Sequence, residues 1–426
     1  MRFDEALARL DARQPEHMPG PSLDRIRAIV ELLDHPELTY PTIHATGTNG
    51  KTTAARVAAA VACAHGISTG LFTSPHLLSV TERLDVCGEP IAQAEFAEQW
   101  EYLEPVLRHV DGLGFGEVTY FEAITTLAFL WFADKPVGLG VFEVGMGGSW
   151  DATNLIGGDV AIITPIAMDH VAELGPTLAD IAGETAGILK AGKVGVIRRQ
   201  DDVAAEVLRR RAGEVGCDLR WEGAAWEVEE RLLAVGGQSF RLRGLFATYD
   251  DLYLPLFGDY AVANAAAGVV AFEALTGHAL DEDTLRAGLA SVRVPGRLEA
   301  VGHEPLILLD GAHNPAGAEA LADALRASFR WERLLLVLAT SANKDAAGIL
   351  GALAPVASRI WLARNDSVRS ADPHDLLPLA GPEAVLTGSV AEAIDAARAD
   401  AGPADVIVVT GSLFTVADAK RVLADR

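Results

Sequence analysis

Along residues 22–33 the apolar side chains Leu23, Ile26, Ile29, Val30 and Leu33 recur at helical spacing behind Ser22, so an opening helix capped by that serine is predicted. The pattern then changes to short apolar runs alternating with helical stretches. "TYPTIHATG" reads as a strand and loop, followed by a helix over 52–65, a strand at "GLFTS", and helices over 92–109 and "TYFEAITTLAFLWFA". Strands at "GLGVFEVG" and "VAIITPIA", a helix at "TLADIAGETAGILK" and a strand at "VGVIRR" complete the series. Such alternation implies a doubly wound α/β domain with a mostly parallel sheet. Residues 218–257 instead alternate in short segments around Gly236 and Gly237, which predicts a hairpin or small antiparallel sheet at that domain's edge. A second α/β series starts near residue 297 with "LILLDGAHNPAGAEALADAL", "RLLLVLAT", "RIWLARN" and "DVIVVTGSLFTVADAKRVL". Pro295 and Gly296 in "SVRVPGRLEAVG" mark the boundary, giving domains over 1–294 and 297–426.

Charge narrows the partners. Lys and Arg number 35 against 59 Asp and Glu, a formal net charge of −24, which opposes the electrostatic attraction that nucleic-acid binding needs. A cleft can still hold a small anion through a few local cations and helix N-termini. The apolar runs, such as "AIITPIAM", are too short to span a bilayer, and the charged N-terminus has no signal-peptide core. The 3 cysteines, Cys63, Cys87 and Cys217, are widely spaced and contain no C-x-x-C pair. They are expected to be plain thiols in a reducing, cytosolic protein without zinc.

The chemistry centres on "HATGTNGKTTAARVAAAVACAHG". The usual phosphate-loop spacing of two glycines before a lysine and a hydroxyl residue would place glycine where Ala45 stands. Even so, Gly47, Gly50, Lys51 and Thr52 occupy the positions a phosphate cradle requires, with backbone N–H groups and a helix N-terminus aimed at phosphate oxygens. Lys51 would reach the β- and γ-phosphates and Thr52 would ligate Mg²⁺. Two further apolar strands run into ionisable groups, Glu143 in "GLGVFEVGMGG" and Asp169-His170 after "VAIITPIAM". In a doubly wound sheet such strand ends converge on the carboxyl edge, where ligands bind.

Taken in order, "TGTNGKTT", "GLFTSPHLLSVTERLDVCGEPI", "VFEVGMGGSWDATNLI", "AIITPIAMDHVAELGPTLADIAGETAGILKAG", "PGRLEAV" and "LLDGAHNPAGA" resemble the folylpolyglutamate synthase and dihydrofolate synthase family of the muramyl-ligase superfamily. The resemblance implies an N-terminal phosphate-loop ATPase-type domain and a smaller C-terminal Rossmann-like domain that serves glutamate ligation, a domain plan sufficient as a monomer. It also implies an ATP- and Mg²⁺-dependent ligase that phosphorylates the carboxylate of a dihydropteroate or folate and lets the amine of L-glutamate displace phosphate. Carried onto this chain, Gly47, Thr48, Asn49, Gly50, Lys51, Thr52 and Thr53 match the nucleotide loop. Thr52, Ser74 and Glu143 match ligands of one Mg²⁺, and His170 a ligand of a second. Asn264, Arg297, Asp310 and His313 match positions that contact nucleotide or organise the site where the domains close, with Ser412 near the glutamate.

One position departs from the family pattern. In "GETAGILK" relatives carry a lysine that becomes carbamylated and supports the second Mg²⁺, whereas this chain has Thr185. Glu184 and Asp169 are the carboxylates nearest in sequence that could replace it. A ligase with another acceptor, and a nucleotide-binding module with reduced turnover, are the alternative readings.

Overall fold

The computed structural model describes residues 1–15 and 22–424 as two compact units. The first comprises Met1–Arg231, Ser239–Leu254 and Ala263–Val292; the second comprises Leu232–Gln238, Pro255–Val262 and the chain from Arg293 onward.

The first unit is built on eight strands: β1 (Thr42–Thr46), β2 (Thr69–Phe72), β3 (Leu84–Val86), β4 (Glu89–Pro90), β5 (Leu139–Glu143), β6 (Val160–Ile163), β7 (Val194–Ile197) and β8 (Asp218–Trp221). Their order is β4-β3-β2-β5-β1-β6-β7-β8, with the six from β2 to β8 parallel and β3 and β4 turned back antiparallel at one edge. β1 lies between β5 and β6, and all five of its residues are buried, as a strand covered on both faces must be.

The alanine content of the helix Lys51–Ala64 has a packing cause. A Cβ on Gly268 would lie 2.5 Å from the Ala54 carbonyl oxygen, and one on Gly288 3.1 Å from Val61 Cα, so helices Asp259–Thr276 and Glu282–Ser291 approach it closely where only small residues fit. On the sheet's other side, Phe72, Phe129, Phe132 and Phe142 pack in tilted and edge-on ring contacts.

A three-stranded sheet follows in the order β11-β10-β9, from β9 (Glu227–Ala234), β10 (Gly237–Arg243) and β11 (Thr248–Leu254). The second unit's sheet has six strands: β12 (Glu299–His303), β13 (Leu306–Leu309), β14 (Leu334–Leu338), β15 (Arg359–Leu362), β16 (Val385–Leu386) and β17 (Val406–Thr410). Its order is β12-β13-β17-β14-β15-β16, parallel except for β12.

Several expectations need correction. Cys63 and Cys87 are joined in a disulfide and only Cys217 is a free thiol, because the turn after β3 returns to the end of the helix Lys51–Ala64. Cysteine usage therefore supplies no argument for a reducing compartment. Asp218–Trp221 is not part of the small antiparallel sheet; it pairs with β7 as an edge strand of the large one. The helix Phe3–Asp11 and the edge strands β3 and β4 were not anticipated. The opening helix runs Asp24–Leu32, and Ser22 accepts the Asp24 N–H from one position before the cap. Among the described residues no helix is long and apolar enough to cross a membrane.

Candidate active site

β1 ends at Thr46 and the chain turns sharply. Gly47 has φ +127° and Gly50 φ +96°, a region that favours glycine. Space is also decisive: a Cβ on Gly47 would lie 2.2 Å from Thr164 Oγ1, and one on Gly50 2.1 Å from Asn264 Nδ2. The turn is pinned from β6, since the Thr48 N–H donates to the Pro165 carbonyl and the Thr48 hydroxyl donates to the Ala167 carbonyl while accepting the Ala167 N–H. Gly50 then caps the helix that begins at Lys51. Lys51 folds back over the loop, its Nζ donating to the carbonyls of Gly47 (2.8 Å) and Thr48 (3.3 Å). Thr53 is buried behind the helix's first turn.

Glu143, buried at the end of the neighbouring β5, gathers the second set. Its Oε1 accepts the Thr52 hydroxyl at 2.7 Å and its Oε2 accepts the Ser74 N–H at 3.3 Å. Thr52, Ser74 and Glu143, expected to share one cation, are thus in contact. The segment after Ser74 is tied to Glu82, whose carboxylate accepts the N–H groups of Leu77, Leu78 and Ser79, each at 2.9 Å. The S-x-x-E spacing of Ser79 and Glu82 is the sequence signature of that cap.

His170 stands at φ +50°, at the N-cap of the short helix Val171–Leu174. Its Nε2 is 4.0 Å from Asp169 Oδ1, and its side chain is partly exposed. Thr185 is buried and its hydroxyl donates to the Ile181 carbonyl of its own helix. Beside it, the Glu184 Oε2 is buried without a hydrogen-bond partner, and burial raises the pKa of that carboxyl. Among the described residues no three His, Cys, Asp or Glu side chains gather to hold a metal, so hydroxyl and phosphate oxygens would have to complete any cation site here.

Asn264 is buried against Gly50, and its Oδ1 accepts from Arg198 Nη1. Arg198 also donates through Nε to Glu222 at 2.7 Å. Neither Arg198 nor Glu222 was among the expected site residues. The available signal was a charge at the end of the apolar strand "VGVIRR", the same feature that marked Glu143.

In the second unit Asp310, at the end of β13, accepts the N–H groups of Leu298 and Ala312, both at 2.8 Å. Burial raises its pKa, against the opposing charges of Arg297 and His313. His313 Nδ1 lies 2.8 Å from the Gly311 carbonyl, and Asn314 caps the helix Pro315–Ser328. The three expected residues Arg297, Asp310 and His313 therefore form one cluster. Ser412 is buried at the end of β17, accepting the Phe414 N–H.

Comparison with known proteins shows the family and the fold. Residues 45–272 match the Mur ligase middle domain and residues 296–413 the Mur ligase glutamate ligase domain. The chain is 41% identical over 452 residues to a dihydrofolate synthase/folylpolyglutamate synthase from Mycobacterium tuberculosis, covering 98% of this chain and 93% of that protein. Among solved structures it resembles the M. tuberculosis folylpolyglutamate synthase complexed with ADP, with a TM-score of 0.95, 39% identity and coverage of 99% and 98% of the two chains. It also resembles E. coli FolC in complex with DHPP and ADP, with a TM-score of 0.89, 31% identity and coverage of 100% and 98%.

Proposed function

The chain belongs to the folylpolyglutamate synthase family of the Mur ligases, and from that premise we propose that it joins L-glutamate to dihydropteroate, to a folate, or to both, at the expense of ATP. The observation that carries the proposal is the Thr52–Glu143 contact of 2.7 Å beside a glycine cradle too tight for any Cβ. It supports the proposal because it gathers hard oxygen donors of the class that Mg²⁺ takes.

Thr52, Ser74 and Glu143 suit a hard divalent cation, which when bound would neutralise phosphate charge. In the proposed reaction Lys51 exchanges its contacts with the loop carbonyls for the β- and γ-phosphates. The acceptor carboxylate attacks the γ-phosphorus, a C–O–P linkage forms, and the bond to the β-phosphate oxygen breaks, with its electron pair leaving on ADP. The glutamate amine then attacks the acyl carbon, a C–N bond forms, phosphate departs and the amine proton passes to solvent or a base. We assign Arg297, Asp310 and His313 to the nucleotide and Asn264 to shaping the loop beneath it. His170 is assigned to a second cation, with Glu184 or Asp169 supplying the charge that Thr185 does not. One chain holds every residue the proposal uses, which is why a monomer suffices.

The reading of a nucleotide-binding member with reduced turnover is favoured by one observation, the Thr185 hydroxyl turned into its own helix. An ADP-release assay with glutamate and each acceptor in turn separates the readings. Glutamate-dependent release with dihydropteroate, a tetrahydrofolate or both supports the proposal. ADP binding without release for any pterin favours the reduced-turnover reading.

A further inference from the structure

Strand β1 carries polar side chains at alternate positions, so Thr42, His44 and Thr46 share one face. All three reach the segment that follows Glu143: the Thr42 hydroxyl accepts the Gly158 N–H (2.7 Å), His44 Nε2 meets the Thr153 hydroxyl (2.7 Å), and the Thr46 hydroxyl donates to the Gly147 carbonyl (2.7 Å). From Thr153 the chain of bonds continues to Asp151, whose Oδ1 accepts the Thr153 hydroxyl at 2.5 Å and the Thr153 N–H at 3.0 Å. Its Oδ2 accepts the Met146 N–H at 3.0 Å. His44 and Thr153 are fully buried and Asp151 nearly so.

The donors and acceptors fix the direction of this chain. With Asp151 ionised, Thr153 has given its hydroxyl hydrogen to the carboxylate, so its oxygen must accept, and His44 must carry its proton on Nε2. His44 Nδ1 is then a bare acceptor, buried and without a hydrogen-bond partner. Burial, helped by the charge of Lys190, keeps the ring neutral. An apolar residue would avoid that unsatisfied nitrogen, which costs stability.

We propose that His44 is a positioning residue for the ligase reaction: by donating Nε2–H to Thr153 it commits the Thr153 hydroxyl to Asp151, which holds the loop following Glu143 in register with the phosphate loop that leaves the same strand. The proposal rests on the ligase reading above.

The test compares wild type with His44→Leu, His44→Gln and Thr153→Val. Glutamine retains an N–H donor at the place of Nε2, whereas leucine does not. His44→Leu is expected to lower kcat roughly tenfold or more, with KM for ATP within about twofold of wild type, and His44→Gln to recover most of the loss. The pH profile gives a readout that packing alone would not move. Asp151 is raised by burial to about 6, against the hydrogen bonds from the Thr153 hydroxyl and the N–H groups of Met146, Thr153 and Gly145, while the charge of Lys190 bears on His44. Removing donors should push Asp151 higher, so the acid limb of kcat moves up in pH in His44→Leu and further in Thr153→Val. If His44→Leu does not fold, Thr153→Val carries the same expectation. Equal loss in the leucine and glutamine variants, or an acid limb that stays put in both His44→Leu and Thr153→Val, overturns the proposal. An inactive wild type would overturn the ligase reading and this proposal with it, whereas an active wild type with indifferent variants overturns this one alone.

Discussion

Breaking the Cys63–Cys87 disulfide should loosen the first unit by an amount that follows from its place in the chain. The two cysteines are 24 residues apart, with Cα atoms 5.6 Å apart, and they tie the end of the helix that starts at Lys51 to the turn after β3. Closing a loop of about 25 residues removes enough disorder from the unfolded chain to favour the folded state by ~3.5 kcal/mol. With an m value of ~3 kcal/mol per molar urea, that is a shift of about 1 M in the unfolding midpoint. The assay is urea unfolding of wild type with and without a dithiol reductant, beside a Cys63→Ser/Cys87→Ser variant, followed by the fluorescence of Trp100 and Trp131, which lie in this unit's core. Reduced wild type and the double variant should unfold together, about 1 M below oxidised wild type. Thiol titration in denaturant without reductant should find only Cys217. Titration of all three cysteines would refute the disulfide, and coincident oxidised and reduced midpoints would refute the loop-closure reasoning.

Gly50→Ala should lower ADP affinity tenfold or more and destabilise the first unit by roughly 1–3 kcal/mol, because φ +96° and a Cβ 2.1 Å from Asn264 force the loop open; calorimetric titration showing unchanged affinity would contradict this. Burial pushes Lys190 down to about 8 from the ordinary lysine value of 10.5, so between those values the unfolded chain binds more protons and stability rises with pH. The penalty, up to about 3 kcal/mol, is fully present below the lower value and relieved toward the upper one. Lys190→Met should lose that rise when urea midpoints at about pH 7.5 and 9.5 are compared, and a rise that persists in the variant would locate it elsewhere. Thr185→Lys, assayed with bicarbonate, should need less Mg²⁺ than wild type; equal metal requirements and equal rates would show that the lysine is dispensable here.

What was legible in the sequence was local. The phosphate loop is written in adjacent residues, an apolar strand, glycines at positive φ and an alanine-rich helix, and Glu143 stands out because a charge ends an apolar strand. Features that depend on distant segments meeting were not legible. The pairing of Cys63 with Cys87 requires β3 to turn back antiparallel along β2. The placement of Asp218–Trp221 beside β7 depends on the parallel register of the whole sheet, since four alternating residues fit an antiparallel hairpin equally well. The Arg198–Asn264 bond joins residues 66 apart and shapes the loop at Gly50 from below. His44 was in plain view as part of β1, but only the fold shows that its ring meets Thr153.

In the proposed reaction this chain activates an acceptor carboxylate as its acyl phosphate before glutamate attacks. The most direct measurement supplies dihydropteroate, or a tetrahydrofolate, whose carboxylate carries heavy oxygen, together with ATP, Mg²⁺ and L-glutamate, and follows phosphate and product by mass spectrometry. Attack of that carboxylate on the γ-phosphorus must leave one of its oxygens on the released phosphate, so labelled phosphate should appear in step with ADP and with the glutamyl product. Lys51→Ala, folded as wild type, should make neither. Glutamyl product with unlabelled phosphate, or ADP formed without any glutamyl product, would contradict an acyl-phosphate route.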